Sequence, residues 1–292
     1  MSFSSDVKQQ LCKVQTDCEF CPAAELAGIL ETAGNIQEEK IRIVTENKDV
    51  AEKIKGLFEA CFGFSIESQR ANHCYIFLLK EENQIANVKE ALAFDEDLEE
   101  TTPFACCVAS YIRGAFLGSG SISDPHKGYH LEFDMKKNSN RLYEALIKKE
   151  ISAKLVQRKG HDILYIKEYE VIASILGMMG ACNAVMEVYN VQIEKEMRNS
   201  INRQVNCETA NVDKVVRASV RQMEAIEKIH RAGRFSALPD TLQEMARIRQ
   251  EYPEDSLKEL GERLKKPIGK SGVNHRLNRL IEIAAGIQEG KR

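Results

Sequence analysis

The chain has 292 residues, 43% of them apolar, with no tryptophan and a formal net charge of −3. That length supports about two domains, and that apolar share supports packed cores and excludes a wholly disordered chain. No amino-terminal apolar h-region and no uninterrupted apolar run of about 20 residues occurs, so the sequence reads as neither exported nor membrane-spanning.

In chain order, Phe3 to Val14 reads as an amphipathic helix with Phe3, Val7, Leu11 and Val14 on one face. Pro22 suits a helix start, and residues 23–33 run helical until Gly34. Residues 36–45 read as strand, and 48–61 as a charged helix closed by Gly63. Strands are predicted over 64–68 and 73–80, and a helix over 84–93. The acidic run 95–100 reads as a linker before Pro103. The order then repeats. Residues 104–117 read as a helix, followed by strands near Ser121 and over 129–134 around an Asp124-Pro125 turn. Next come a helix over 138–150, strands over 152–158 and 162–167, and a helix over 168–179.

Two short stretches anchor this repeat. L-A-G-I-L-E-T-A-G-N-I over residues 26–36 and I-R-G-A-F-L-G-S-G-S-I over 112–122 stand at an offset of 86 positions. Gly28 aligns with Gly114, and Gly34 with Gly120. A glycine inside a helix costs roughly 1 kcal/mol against alanine, so a matched pair points to a close backbone approach between two symmetric halves.

Beyond residue 184 strand signals fade. Helices are expected over 184–203 and 211–231, the second with Val215, Val216, Val220, Met223, Ile226 and Ile229 as its apolar stripe. Between them lies an amide-rich run, residues 199–211, which could contact phosphates but reads first as helix capping and linker packing. Gly233 stops the second helix, Pro239 opens a further one over 241–252, and Pro253 ends it. Residues 197–292 hold 19 Lys and Arg against 13 Asp and Glu (+6), whereas the preceding body holds 22 against 31 (−9). A basic terminal third on an acidic body suits a polyanionic partner.

Ser256 with Glu259 three residues later is a capping box, so a helix should begin at Leu257, with Leu257, Leu260 and Leu264 inward. Residues 267–269 break it, and Ser271 can cap a second helix with Val273, Leu277, Leu280 and Ile281 as its apolar stripe. At 100° per residue its opposite face carries Ser271, His275, Asn278 and Arg279, flanked by Asn274 and Arg276. This is the layout of a helix-turn-helix, in which Arg and Asn can pair with base edges while Lys270 and the helix amino terminus suit phosphates. An ordinary helix pair in a bundle would share the pattern; the basic balance favours DNA.

Nine cysteines without an export signal read as reduced thiols. Cys18-x-x-Cys21 has no second pair at zinc-site spacing, and the adjacent Cys106 and Cys107 read as small buried hydrophobes. No metal or cofactor is expected.

Both glycine-bearing stretches resemble the LAGLIDADG helices of homing endonucleases. In that family the two helices pack at a pseudo-twofold axis, and an acid beside each final glycine holds a metal ion. Ala33 and Ser119 stand at those positions, Glu31 lies at an earlier acid position whose counterpart is Leu117, and no matched acid pair remains. Almost the whole chain resembles the WhiA family, through Ile112 to Phe116, N-R-x-x-N-C-E-T-A-N from Asn202, S-L-K-E-L-G from Ser256 and K-S-G-V-N-H-R-L from Lys270.

The resemblance implies an α+β fold: a pseudo-twofold LAGLIDADG-like domain over residues 1–197, with αββαββα halves at about 1–98 and 103–197. An all-α sigma-factor-like domain over 198–292 would follow, its helix-turn-helix at about 255–288. It implies a catalytically inactive, cytoplasmic, nucleoid-associated regulator of transcription linked to cell division, chromosome segregation and, in sporulating relatives, sporulation. The implied partner is double-stranded DNA, with RNA polymerase or another regulator as a further candidate. DNA contact falls on Ser256, Lys270, Ser271, Gly272, Asn274, His275, Arg276, Asn278 and Arg279.

Two other classes compete. A surviving nuclease would need Glu31 with Asp124 or Glu132, and His126-x3-His130 is a weak metal pair across a turn and a strand. Alternatively, the acidic amino-terminal domain is a protein-interaction module.

Overall fold

The computed structural model describes residues 2–92, 102–135, 141–158 and 160–287. It divides into two compact units, residues 1–195 and 196–292. The acidic linker predicted over 95–100 lies outside the described residues, as does the start of the helix predicted from 138.

The first unit repeats one arrangement twice. After α1 (Phe3–Cys12) the first half runs α2 (Cys21–Ala33), β1 (Gly34–Ile36), β2 (Ile41–Thr45), α3 (Lys48–Phe62), β3 (Ser68–Ala71), β4 (Cys74–Leu79) and α4 (Glu82–Leu92). The second runs α5 (Ala105–Ser119), β5 (Gly120–Ile122), β6 (Leu131–Met135), α6 (Arg141–Lys148), β7 (Lys154–Arg158), β8 (His161–Ile166) and α7 (Tyr169–Met179). Each half is therefore αββαββα, as the sequence implies. The two sheets are antiparallel with matching strand orders, β1-β2-β4-β3 and β5-β6-β8-β7.

Local chemistry sets these elements. Asn47 caps α3 by accepting from the Asp49 and Val50 amides, and Gly63, at φ +68°, ends it in the left-handed conformation. Alternation in β2 buries Ile41 and Ile43 and exposes Arg42. In β6 it buries Leu131, Phe133 and Met135. Strand predictions shift: the single strand read over 36–45 is two, β1 and β2, which pair antiparallel as a hairpin. The strand expected from Phe64 starts at Ser68, because the Phe64 ring packs on Phe58 and Phe62 at 6.0 and 5.7 Å. His73 belongs to the hairpin turn, where Asn72 and His73 take positive φ of 46° and 67°.

Between the halves, α2 and α5 pack backbone to backbone. A Cβ on Gly28 would run into the Tyr111 carbonyl oxygen, and one on Gly114 into that of Glu25. The matched glycines are thus the condition for the helix pair, and Leu26, Ile29, Leu30, Ile112, Ala115 and Phe116 bury around them.

In the second unit the prediction of two helices over 184–203 and 211–231 is overturned: α8 runs unbroken from Cys182 to Arg231. The amide-rich run does not break it, because its side chains pair along the helix surface, as Gln204 to Glu208 (2.9 Å) and Asn211 to Cys207 (3.7 Å) show. The expected stripe also shortens. Ile226 and Ile229 are buried, but Val215, Val216 and Val220 are exposed. A second core joins Ile226 and Ile229 to Leu242, Met245 and Ala246 of α9 (Asp240–Glu251), Leu260 of α10 (Leu257–Glu262), and Val273, Leu277 and Leu280 of α11 (Lys270–Ala285).

Candidate nucleic-acid interface

The α10–α11 pair is fixed by local devices. Ser256 Oγ accepts from the Glu259 amide at 3.4 Å, while the Glu259 carboxylate accepts from the Ser256 amide at 2.8 Å. That reciprocal bond holds the Glu259 carboxyl below its ordinary range. The turn then folds back against α10: the Ile268 amide donates to the Gly261 carbonyl at 3.2 Å. A Cβ on Gly261 would strike the Ile268 carbonyl, so only glycine allows this turn. The preceding loop is pinned by buried Arg249, which donates to the Asp255 carbonyl at 2.7 Å, and by Arg263, 2.6 Å from the Asp255 carboxylate and stacked on Tyr252 at 3.7 Å. Burial holds Arg249 below its ordinary pKa, whereas the Asp255 partner raises Arg263.

In α11 the apolar stripe is as expected, with Val273, Leu277 and Leu280 buried and Ile281 packed at the rim. Lys270, Ser271, Asn274, His275, Asn278 and Arg279 are exposed; Gly272 and Arg276 are half-buried. One detail is corrected. The N-cap is Gly269, not Ser271, because the extended conformation ends at residue 269 and helical dihedrals begin at Lys270. The Ser271 hydroxyl therefore stands in the first turn, exposed, while Ser256 has its hydroxyl engaged as a cap. Arg279 Nη1 lies 2.8 Å from Glu282 on the same face.

Within this unit, a cleft of about 930 Å³ is lined by Ser256, Lys270, Ser271 and Asn274 together with Asn211 and Lys214 of α8. Lys214 was not among the sequence candidates. Its contribution depends on α8 and α11 sharing one wall, which no local pattern encodes.

In the first unit, α2 and α5 end at Ala33 and Ser119, with Gly34 and Gly120 as their C-caps. The acids considered for catalysis are held in separate contacts. Glu31 accepts from the Tyr111 hydroxyl at 2.6 Å, Asp124 from the His126 amide at 2.9 Å, and Glu132 lies 3.2 Å from Ser121 and 3.0 Å from His130. Burial first, and the neighbouring Glu31 charge second, push the Tyr111 phenol well above its ordinary pKa. His126 faces Glu187 at 3.5 Å and His130 faces Glu132, so the two rings serve different partners.

The cysteine reading is corrected for Cys106, while Cys107 is buried in the core as expected. Among the described residues, one group of three or more His, Cys, Asp or Glu side chains brings ligand atoms together, and it is Cys18, Cys21, Cys106 and Cys107. Their sulfur atoms all lie within 4.8 Å of one another. Cys106 is exposed, so it is not a small core hydrophobe, and the second pair comes from the opposite half of the repeat rather than from nearby sequence.

A family model described as "WhiA LAGLIDADG-like domain" matches residues 23–102 and 108–198, and one described as "WhiA C-terminal HTH domain" matches residues 201–284. The chain is 41% identical to the probable cell division protein WhiA of Alkaliphilus oremlandii, with 100% of this chain and 99% of that one covered. It is 40% identical to the protein of the same name from Ruminiclostridium cellulolyticum, over 99% of both. The crystal structure of full-length WhiA from Thermotoga maritima matches 99% of this chain and 100% of that one with a TM-score of 0.61 at 23% identity, a likeness of fold. No helix among the described residues is long and apolar enough to cross a membrane.

Proposed function

The chain belongs to the WhiA family, and from that premise we propose that it is a sequence-specific DNA-binding regulator of transcription without catalytic activity. The observation that carries this reading is the two-sided α11. Val273, Leu277 and Leu280 fasten it to the domain, while Lys270, Ser271, Asn274, His275, Asn278 and Arg279 face outward. Its amino terminus offers backbone N–H groups and Lys270 to a phosphate, and the next two turns offer Asn and Arg to base edges. Arg276, at the edge of the buried stripe, would reach a base or phosphate from the flank, Gly272 would permit close approach of the backbone, and Ser256 would hold the first helix against the duplex.

Double-stranded DNA is the partner in this reading, with RNA polymerase or another regulator as a second contact. Its setting is the cytoplasmic nucleoid. Relatives that carry the name probable cell division protein support a link to cell division, and chromosome segregation and sporulation are the wider processes we assign to it. The domain boundary in this proposal lies near 197, with halves of the first domain meeting near 98–103. Absence of catalysis rests on Ala33 and Ser119 at the two helix ends, since neither side chain supplies the carboxylate that a hard divalent cation needs.

The deciding experiment maps bound DNA across the chromosome in the native host and measures affinity for a recovered fragment against a scrambled duplex. Equal affinity for both would overturn sequence-specific reading. Incubation with plasmid and magnesium or manganese separates the enzymatic alternative: nicking above a buffer control would overturn the inactive scaffold.

A further inference from the structure

Four sulfurs converge where α2 and α5 begin. Cys21 is the first residue of α2 and Cys107 the third of α5. They stand 86 positions apart, the offset of the seam glycines, so the pseudo-twofold that brings Gly28 to Gly114 also brings Cys21 to Cys107. Cys18 completes the group from the turn before α2 and Cys106 from the first turn of α5. We propose that Cys18, Cys21, Cys106 and Cys107 bind one zinc ion as a tetrahedral tetrathiolate that clasps the two halves of the first domain.

The spacing fits a single tetrahedral ion rather than a cluster. Zn–S bonds of about 2.3 Å in a tetrahedron put neighbouring sulfurs about 3.8 Å apart. Cys18 and Cys107 lie 3.7 Å apart and every pair lies within 4.8 Å. A four-iron cluster holds its ligating sulfurs on the outside of a cube, well beyond that range. Cys18-x-x-Cys21 has the short spacing that structural zinc sites use for two ligands.

The surroundings suit a dianionic centre. Both helix amino termini point their positive ends towards it. Burial pushes the Cys107 thiol up, while the Phe20 backbone beside Cys18 pulls that thiol down, towards the thiolate a metal needs. The Phe20 and Phe104 rings, 43% and 54% exposed, tilt against one another at 5.9 Å beside these cysteines and give the site an apolar flank. Binding takes Zn2+ and four thiols to a tetrathiolate and releases four protons to solvent, with no change of oxidation state. The ion would sit at the helix starts, the opposite ends from Ala33 and Ser119, and so would have a structural role.

The test uses the full chain purified in reductant. Metal analysis is expected to find one zinc per chain, released in step with titration of four thiols by an organomercurial. Cobalt added to the chelator-stripped protein is expected to give the visible and near-ultraviolet bands of a four-sulfur tetrahedral site. Cys106→Ser is expected to weaken zinc at least tenfold, whereas Cys207→Ser leaves it unchanged. If the variant does not fold, the cobalt spectrum of the unaltered chain still decides. Cobalt spectra without thiolate bands, a disulfide among these four residues in the reduced protein, or iron in place of zinc would each overturn the proposal.

Discussion

Arg113 meets Glu25 across the helix seam, Nη2 to Oε2 at 3.0 Å, with each side chain only 3% exposed. Each lies on its helix just before or three residues before a seam glycine, so the ion pair and the backbone contact are held by the same register. The guanidinium also donates to the Met179 carbonyl at 3.1 Å and the Ser110 hydroxyl at 2.9 Å, and Lys53 approaches Glu25 at 3.4 Å. Loss of one member of a buried pair with this many partners costs more than loss of both, because a lone buried charge has nothing to offset its desolvation. Arg113→Leu is expected to lower stability by about 3–5 kcal/mol in urea unfolding. The Glu25→Leu/Arg113→Leu double variant is expected to recover most of that loss; additive losses would show that the pair is not coupled.

Gly114 and Gly56 make an internal comparison for the seam. Both are helical, but a Cβ on Gly114 meets the Glu25 backbone, whereas nothing lies within 4 Å of one on Gly56. Gly56→Ala is expected to raise stability by about 0.5–1 kcal/mol through helix propensity. Gly114→Ala must push α2 and α5 apart and is expected to lower the melting temperature steeply or to prevent folding. Thermal unfolding of the two variants side by side checks both signs.

The seam was legible because close helix approach leaves a mark that nothing else on a helix requires, a glycine at Gly28 and again 86 residues on. The capping box at Ser256 and the two-sided α11 were legible for the same reason: both are local, and a period of 3.6 residues suffices to read them. What was hidden depends on distant partners. Cys106 and Cys107 look like apolar filler until the pseudo-twofold sets them against Cys18 and Cys21. Lys214 gains its place only when α8 lies beside α11. The helix break expected near 204–210 failed because amide side chains found partners four residues away instead of competing with the backbone. Ser271, a strong N-cap residue type, lost that position to Gly269 because the turn that Gly261 admits ends there.

Lys8 carries a pH dependence. Its Nζ donates to the Leu117 carbonyl at 3.2 Å near the end of α5, yet burial lowers its pKa from 10.5 to about 8. Between about pH 8 and 10.5 the unfolded chain therefore binds a proton that the folded chain does not, and Lys8 contributes rising stability as pH increases through that window. Below about pH 8 both states are protonated and the folded state bears the full burial penalty. Lys8→Met removes this term together with the hydrogen bond. The stability of the variant relative to the parent is expected to fall as pH goes from 7.5 to 10, measured by paired urea titrations at each pH. A difference that stays flat would mean that Lys8 is solvated well enough to keep its ordinary pKa.

On α11 and α8, phosphate contact and base reading separate by substitution. Lys270 and Lys214 line the cleft beside the start of α11, where the proposed function would give them backbone phosphates. Lys270→Ala and Lys214→Ala are each expected to weaken binding to any duplex alike and to reduce the salt slope by about one. Arg276→Ala and Arg279→Ala are expected to remove about 1–3 kcal/mol from the recovered target and little from a scrambled duplex. Arg279 adds a further check, since it starts in an exposed pair with Glu282 at 2.8 Å. Such a pair is worth at most about 1 kcal/mol, so DNA can take the guanidinium from it. Glu282→Gln releases Arg279 and removes a negative charge from the reading face, and both changes should strengthen binding. Fluorescence anisotropy over a salt series reads all five variants; equal losses on target and scrambled DNA for both arginines would move specificity off this helix.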